Sequence, residues 1–143
     1  MSIPFGAVIP FVDHLGFTLE KFEGGESLLH YAPRPEHLNS FDVTHGGAVM
    51  TLLDVVMATA ARSVDVSMGV VTIEMKTSFM RPAKVSAGQV LTARGSLKHR
   101  TRSMAFTEGS VFDAEGHLCA HATGTFKYMP RRTTEPSSHL PTD

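Results

Sequence analysis

The stretch from Ala48 to Ala61 constrains the fold more than any other part of the chain. It reads AVMTLLDVVMATAA, and its only charged residue is Asp54. This composition predicts a helix, from about Gly46 to Ser63, that carries apolar side chains on every face. Such a helix has to be covered all round, which a single helix achieves when a long antiparallel sheet wraps around it. The face that the sheet leaves open needs a partner, so we expect an α+β protein that forms a dimer.

The remainder of the chain is typical of strands and turns. The paired glycines at 24 and 25 and the run from Asp113 to Gly116 are turn signals between strand-like segments. Six strands are predicted, at Phe17–Glu23, Ser27–Ala32, Val70–Met80, Gly88–His99, Arg102–Phe112 and His117–Tyr128. Two strands before the helix and four after it fit one antiparallel sheet.

The length of 143 residues is that of one domain, which we place at residues 1–128. The N-terminal segment is expected to cap the sheet and to bury four side chains: Phe5, Ile9, Phe11 and Leu15. Residues 129–143 hold three prolines and few apolar side chains, and we expect them to form a disordered tail.

Composition excludes several classes of function. Thirteen basic and 14 acidic residues give a formal net charge of −1, without the positive field of a nucleic-acid binder. No window reaches the ~18 apolar residues of a membrane span. The single Cys119 excludes an intramolecular disulfide and a multi-cysteine metal site, and it indicates a reducing, cytoplasmic setting. His117 and His121 share a predicted strand face without a nearby acidic ligand, so no metal is expected.

Asp54 is the residue that most directly suggests chemistry. Burying a carboxylate in the middle of a helix is costly, because desolvation disfavours its charge. Aspartate is also a poor helix former, and this position lies too far along the helix to be an N-cap. A structural Asp paired with an arginine or a backbone amide is the alternative to a catalytic carboxylate.

The start of the helix is the second candidate feature. Thr44 is a suitable cap, and the first amides, near His45, Gly46 and Gly47, have no acceptor within the helix. These amides carry the positive end of the helix dipole, and two glycines let a ligand approach the backbone closely. Preorganised N–H donors of this kind form oxyanion sites, although a Gly-Gly pair alone is more often an ordinary turn.

The spacing of the two features indicates how they could act together. Asp54 lies eight residues after Gly46, which is about 12 Å along a helix axis. One helix therefore cannot bring both groups to within about 3 Å of the same reacting carbonyl. If both act on one substrate, the carboxylate and the amide come from different subunits, and two-fold symmetry gives two equivalent sites.

Two segments carry a resemblance to a known family. The string NSFDVTHGGAVMTLLD, from Asn39 to Asp54, resembles the acyl-CoA thioesterases of the PaaI-like, phenylacetate-pathway type. VTIEMKTSFMRPA, from Val71 to Ala83, and GTFKY near the end resemble the same family in order and spacing. The resemblance implies the hotdog fold, in which a six-stranded antiparallel sheet surrounds one long helix. It also implies a homodimer, often a homotetramer, that hydrolyses acyl-CoA without a metal or an organic cofactor.

The resemblance further implies roles for individual residues. Asp54 matches the general base or nucleophile, and Gly46 matches the amide that polarises the thioester carbonyl. Asn39 matches a donor near that carbonyl or the water, and His45 matches a histidine placed near the carbonyl or the leaving thiolate. Thr72 matches a hydroxyl that positions the water. The resemblance implies that each site takes Asn39, His45 and Gly46 from one chain of the dimer. Asp54 and Thr72 would come from the other chain.

Four residues are candidates for binding the coenzyme A part of the substrate. Gly47 at the helix start and the guanidinium groups of Arg81, Arg100 and Arg102 are candidates for contacting coenzyme A, since guanidinium suits phosphate. If the chain is extended there, the last two arginines share a strand face.

Two other functions remain open. A hotdog hydratase or dehydratase would use Asp42 and His45, which lie only three residues apart. A non-catalytic acyl-CoA-binding module would bind the ligand without releasing thiol.

Overall fold

The computed structural model describes residues 2–131, which form two α-helices, one 3-10 turn and six strands. The helices are α1 (Pro10–Leu15) and α2 (Gly46–Arg62), and Pro35–His37 forms the 3-10 turn. The strands are β1 (Thr18–Glu23), β2 (Glu26–Tyr31), β3 (Met68–Phe79), β4 (Leu91–Arg100), β5 (Met104–Phe112) and β6 (Leu118–Pro130). All six strands pair antiparallel in one sheet, in the order β1-β2-β4-β5-β6-β3.

Helix α2 lies against the concave face of this sheet and packs on every strand. Its buried side chains include Leu52, Leu53, Val56 and Met57, none of which has accessible surface. The predicted six-stranded antiparallel sheet around one long helix is therefore confirmed. In residues 2–131, no helix has the length and hydropathy needed to cross a membrane.

Both ends of the described chain differ from the prediction. Residues 10–15 form a helix that was not predicted, with Pro10 in its first turn and Gly16 closing it in a left-handed conformation. This helix turns Val12 and Leu15 towards the core, so Phe11 is 58% exposed instead of buried. At the other end, β6 continues to Pro130, two residues beyond the predicted domain boundary at 128. Of the predicted tail, residues 132–143 lie outside the described residues.

Three glycines let α2 lie close to the sheet. Gly95 pairs with Gly109 across β4 and β5, and Gly124 follows on β6. A Cβ on Gly109 or Gly124 would lie 3.0 Å from an atom of Met57. At Gly95, a Cβ would overlap the carbonyl oxygen of Val56. The helix therefore rests on backbone at its middle, and this close approach sets the depth at which the helix is held.

Replacing Gly95 by alanine is expected to destabilise the fold severely. The added methyl group meets a helix carbonyl, which cannot turn away as a side chain can, so the free energy of unfolding falls by about 3 kcal/mol. Gly69→Ala is the matched control, because its Cβ would meet no atom closer than the Met129 carbonyl oxygen at 3.9 Å. Urea denaturation of both variants checks this, and equal stability of the two would contradict the close packing.

Strand β3 forms one edge of the sheet and carries the features that matter for the site. It pairs with β6 on one side only, and its register shifts between Thr72 and Glu74, which makes Ile73 a bulge. The bulge reverses the alternation of side chains, so that Thr72 and Phe79 lie on the same face although they are seven positions apart. Val71 and Ile73 are about half exposed along this edge, and a long apolar edge strand needs to be covered.

Candidate active site

Asp54 lies half-buried on α2, where it faces the edge strand. Its Oδ1 accepts a hydrogen bond of 2.6 Å from the Thr72 hydroxyl on β3. Among the described residues, Asp54 forms no ion pair, so the structural alternative of a carboxylate neutralised by an arginine does not apply. Burial raises the pKa of the Asp54 carboxyl above its ordinary value, and the hydrogen bond from Thr72 offsets only part of that rise. The carboxylate is therefore more basic than an exposed aspartate.

The first residue before α2, His45, caps the helix. Its Nδ1 accepts a hydrogen bond of 2.8 Å from the Gly47 amide, so this amide is already paired. Thr44, the predicted cap, is buried one residue earlier, where its amide donates to the carbonyl oxygen of Ala83. Because Nδ1 is an acceptor, the neutral imidazole of His45 carries its proton on Nε2. The capping therefore orients the ring and leaves Nε2–H available to a ligand.

The Gly46 amide differs from that of Gly47. Within residues 2–131 it has no hydrogen-bond acceptor, whereas the two amides after Gly47 both donate to the His45 carbonyl oxygen. It therefore bears the positive end of the α2 dipole without a partner. A Cβ on Gly46 would lie 3.6 Å from Cζ of Phe79, so the end of β3 covers this turn.

Asn39 holds the loop that leads to the helix. Its Oδ1 accepts the Phe41 and Val43 amides at 2.9 and 3.3 Å, which closes a tight Asx turn. The Nδ2 group makes no hydrogen bond to any described residue, so it remains a free donor. Asp42, inside this turn, adopts a positive φ of 59°.

A cleft of about 370 Å³ brings Asn39 and Gly46 together, and we call it the Gly46 cleft. Besides these two, its walls are formed by Val43, Thr44, Val49, Phe79, Met80, Arg81, Pro82, Ala83 and Cys119. Sequence reasoning did not assign Phe79 or Cys119 to a site. The sequence FMRP, in which apolar side chains precede an arginine at a strand end, was the available signal for Phe79.

The two halves of the site lie apart within one chain. Asp54 is held next to Thr72, whereas Gly46 lies next to Phe79, seven residues further along β3. Seven strand residues span about 23 Å, and eight helix residues span about 12 Å. The Gly46 cleft is correspondingly lined by neither Asp54 nor Thr72. One chain therefore provides a donor half and a carboxylate half, and these do not meet on a single carbonyl.

The three predicted arginines do not cluster within the described chain. Arg81 lines the Gly46 cleft and follows the end of β3 that pairs with Ala120. Arg100 and Arg102 both precede β5, whose first residues pair with β6 near Phe126. Phe126 lies about 20 Å along β6 from Ala120.

The shared strand face expected for the last two arginines required an extended chain between them, and this condition is not met. Strand β4 ends at Arg100, and Arg102 lies in the turn that follows. The guanidinium of Arg100 lies over the Tyr128 ring, 4.3 Å from its centroid.

The histidines predicted to be without acidic neighbours do have them. Asp113, Glu115 and His117 offer ligand atoms within 4.8 Å of one another in the β5–β6 connection. His121 lies elsewhere, 3.9 Å from Glu108. Because Asp113 already accepts two backbone amides of its own turn, this arrangement has a structural explanation that needs no metal.

Comparison with known proteins identifies the family. The model of the Thioesterase superfamily matches residues 41–120, which include the Gly46 turn, Asp54 and the whole of β3. The chain belongs to the thioesterase superfamily. Its activity is accordingly the hydrolysis of a thioester bond, and its sheet and helix are those of the hotdog fold.

Individual relatives agree with this assignment. Human acyl-coenzyme A thioesterase 13 is 28% identical over 109 residues, which cover 76% of each chain. A mutant of the phenylacetic acid degradation protein PaaI from Thermus thermophilus is 28% identical, with a TM-score of 0.73 over 83% of this chain and 98% of that one. The protein smu.793 from Streptococcus mutans UA159, solved with acetyl CoA, shares the fold at 23% identity, with a TM-score of 0.72 over 82% and 91% of the two chains.

Proposed function

We propose that this thioesterase hydrolyses acyl-CoA to a carboxylic acid and free coenzyme A, at sites shared between the two chains of a homodimer. The observation that carries the proposal is the half-buried Asp54, held by Thr72 and by no ion pair among the described residues. A carboxylate that pays a desolvation cost and has a raised pKa is typical of a group kept for chemistry. The named relatives, an acyl-coenzyme A thioesterase and a protein solved with acetyl CoA, support coenzyme A as the thiol.

The edge strand offers a route to a complete site. If two copies of β3 pair antiparallel across a two-fold axis near Met75 and Lys76, Thr72 of one chain faces Phe79 of the other. Asp54 of the first chain then approaches the partner's Gly46 cleft, which contributes the Gly46 amide and the Asn39 Nδ2 group. This pairing also covers the half-exposed apolar side chains of Val71 and Ile73.

The chemistry follows from these groups. The free Gly46 amide and the Asn39 Nδ2 donate to the thioester oxygen, which becomes negative as the carbonyl carbon is attacked. Asp54 either takes a proton from water, whose oxygen attacks the carbon, or attacks the carbon itself and is released by water. The C–S bond breaks and the thiolate leaves as coenzyme A, with the Nε2–H of His45 available as a donor near it.

The alternative lyase function is less well supported. A hydratase would need Asp42 and His45 at one substrate, but Asp42 lines a separate cleft with Pro33, Pro35, Leu38, Thr44, Lys84 and Val85. A non-catalytic binding module would not need the free, raised-pKa carboxylate of Asp54.

Thiol release distinguishes these functions. The protein is incubated with phenylacetyl-CoA, benzoyl-CoA and hexanoyl-CoA, and free thiol is followed with a chromogenic disulfide. An enoyl-CoA substrate, analysed for the 3-hydroxy product, tests the hydratase. Release of thiol from at least one acyl-CoA is expected. Formation of the 3-hydroxy product without thiol, or binding without turnover, would overturn the proposal.

The Thr72 hydroxyl is expected to set the acid side of the pH profile. Its hydrogen bond lowers the pKa of Asp54, so Thr72→Val raises that pKa further. The acid limb of kcat/KM against pH then moves to higher pH, since more alkali is needed to ionise the carboxylate. Thr125→Val on β6 is the control, because its hydroxyl donates to Glu74 and not to Asp54. An unchanged acid limb in Thr72→Val would argue against Asp54 as the ionising group.

A further inference from the structure

The connection between β5 and β6 places a buried carboxylate, Asp113, beside Arg81, which is one of the residues of the Gly46 cleft. Asp113 is only 9% exposed, and its Oδ1 accepts the amides of Glu115 and His117 at 3.0 and 2.9 Å. Its Oδ2 points elsewhere, to Nε of Arg81 at 3.8 Å and to Nδ1 of His117 at 3.3 Å. The backbone amides of the turn therefore use only one of the two oxygens, and the second faces two side chains, Arg81 and His117.

The Oδ2 atom of Asp113 is not needed to accept the backbone amides of the turn. An asparagine would accept the same two amides through its own Oδ1, so the turn alone does not require a carboxylate. The charge on Oδ2 faces the His117 ring of the same turn at 3.3 Å and the guanidinium of Arg81 at 3.8 Å. Of these two neighbours, Arg81 is the one that lines the Gly46 cleft, so the Asp113 charge can act on the cleft through Arg81.

Arg81 is held at both ends. Its amide donates to the Cys119 carbonyl oxygen at 3.2 Å, which fixes its backbone to the start of β6. Its Nε faces Asp113, and its side chain is still half exposed. Within residues 2–131, the two terminal nitrogens of the guanidinium have no hydrogen-bond partner, and their planar fork matches the oxygens of a phosphate. Of the three arginines considered for coenzyme A, Arg81 is the one that lines this cleft.

We propose that Asp113 is a positioning residue that orients the Arg81 guanidinium at the Gly46 cleft so that its terminal nitrogens bind a phosphate of coenzyme A. This inference rests on the proposed acyl-CoA thioesterase function. It adds that the β5–β6 turn, distant in sequence from the helix start, determines how strongly the nucleotide part of the substrate is held.

The test compares two substrates with the same acyl group. One is the acyl-CoA that the thiol-release panel turns over best, and the other is its acyl-pantetheine counterpart, which has no phosphate. Arg81→Met is expected to raise KM for the acyl-CoA about tenfold and to change KM for acyl-pantetheine much less. Asp113→Asn keeps the turn acceptor and is expected to raise KM for the acyl-CoA about threefold, with kcat unchanged for both substrates.

A double variant separates positioning from stability. In Arg81→Met, the further change Asp113→Asn is expected to have no effect on KM, because its only route to the substrate is gone. Glu115→Gln in the same turn is the control and leaves both KM values unchanged, since its side chain forms no ion pair with Arg81. Thermal melts of the single variants check that each one folds.

The outcomes are distinct. No thiol release from either substrate by the wild type would overturn the proposed function and this inference together. Release with Arg81→Met affecting neither KM would overturn the inference alone. The inference is also wrong if Asp113→Asn leaves KM for the acyl-CoA unchanged or lowers it. It is equally wrong if Asp113→Asn changes KM for both substrates to the same extent, or if its effect on KM is undiminished in the double variant.

Discussion

Replacing Asp54 by asparagine is expected to lower kcat for acyl-CoA hydrolysis by about 100-fold or more, the usual contribution of a general base. Asparagine has nearly the same shape and still accepts the Thr72 hydrogen bond through Oδ1. The loss therefore reports on the charge and not on packing. Thiol release under saturating substrate measures it, and an active Asp54→Asn would remove the catalytic role of this carboxylate.

The same substitution is expected to make the protein more stable. The folded-state pKa of Asp54 is raised, so folding favours the protonated acid, and stability falls as pH rises through that pKa. At neutral pH the ionised carboxylate thus opposes folding, and a neutral asparagine removes this effect. The melting temperature of Asp54→Asn should exceed that of the wild type at pH 7. Asp13→Asn, at an exposed position in the first turn of α1, is the control and should not raise it, because the Asp13 charge is favourable there.

Mixing two inactive variants, Asn39→Asp and Asp54→Asn, is expected to restore part of the wild-type activity. Asn39→Asp retains the Oδ1 that accepts the Phe41 and Val43 amides, but it replaces the Nδ2 donor by an anionic oxygen. An anion beside the developing oxyanion should lower kcat by about 100-fold. Asp54→Asn carries an intact cleft, and Asn39→Asp carries an intact carboxylate.

In a mixed dimer, one of the two shared sites is assembled from unchanged residues only. If subunits exchange at random, half of the dimers are mixed, and the mixture regains about a quarter of the wild-type activity. Asp54→Asn mixed with Asp54→Ala is the control and should remain inactive, because no carboxylate half is intact. If each site lay within one chain, the first mixture would stay as inactive as its components.

Much of the fold and of the candidate site could be predicted from local sequence. The apolar stretch around Asp54 predicted both a helix and a sheet that encloses it, because burial of every helix face leaves few other arrangements. The Gly-Gly turn and the position of Asp54 predicted the two halves of the site and their separation along the helix. These inferences need only helical geometry and the cost of a buried charge, which nearby residues determine.

Other predictions were wrong where the local pattern was ambiguous. Thr44 and His45 are neighbours, and either side chain can accept a hydrogen bond from the helix start. The backbone contact between Thr44 and Ala83, 39 residues away, buries the threonine and leaves the cap to His45. Phe11 similarly became exposed because a short helix, not predicted from its six residues, directs Val12 and Leu15 to the core.

The sequence by itself determined the elements, their order and the residue types at the site, since these follow from periodicity, propensity and the energetics of burial. The tertiary structure alone decided which distant residues meet. It placed Thr72 against Asp54 by means of a bulge at Ile73, Phe79 over Gly46, and Asp113 beside Arg81. Strand register and the path of a turn are set by contacts between segments far apart in the chain, and no local pattern encodes those contacts.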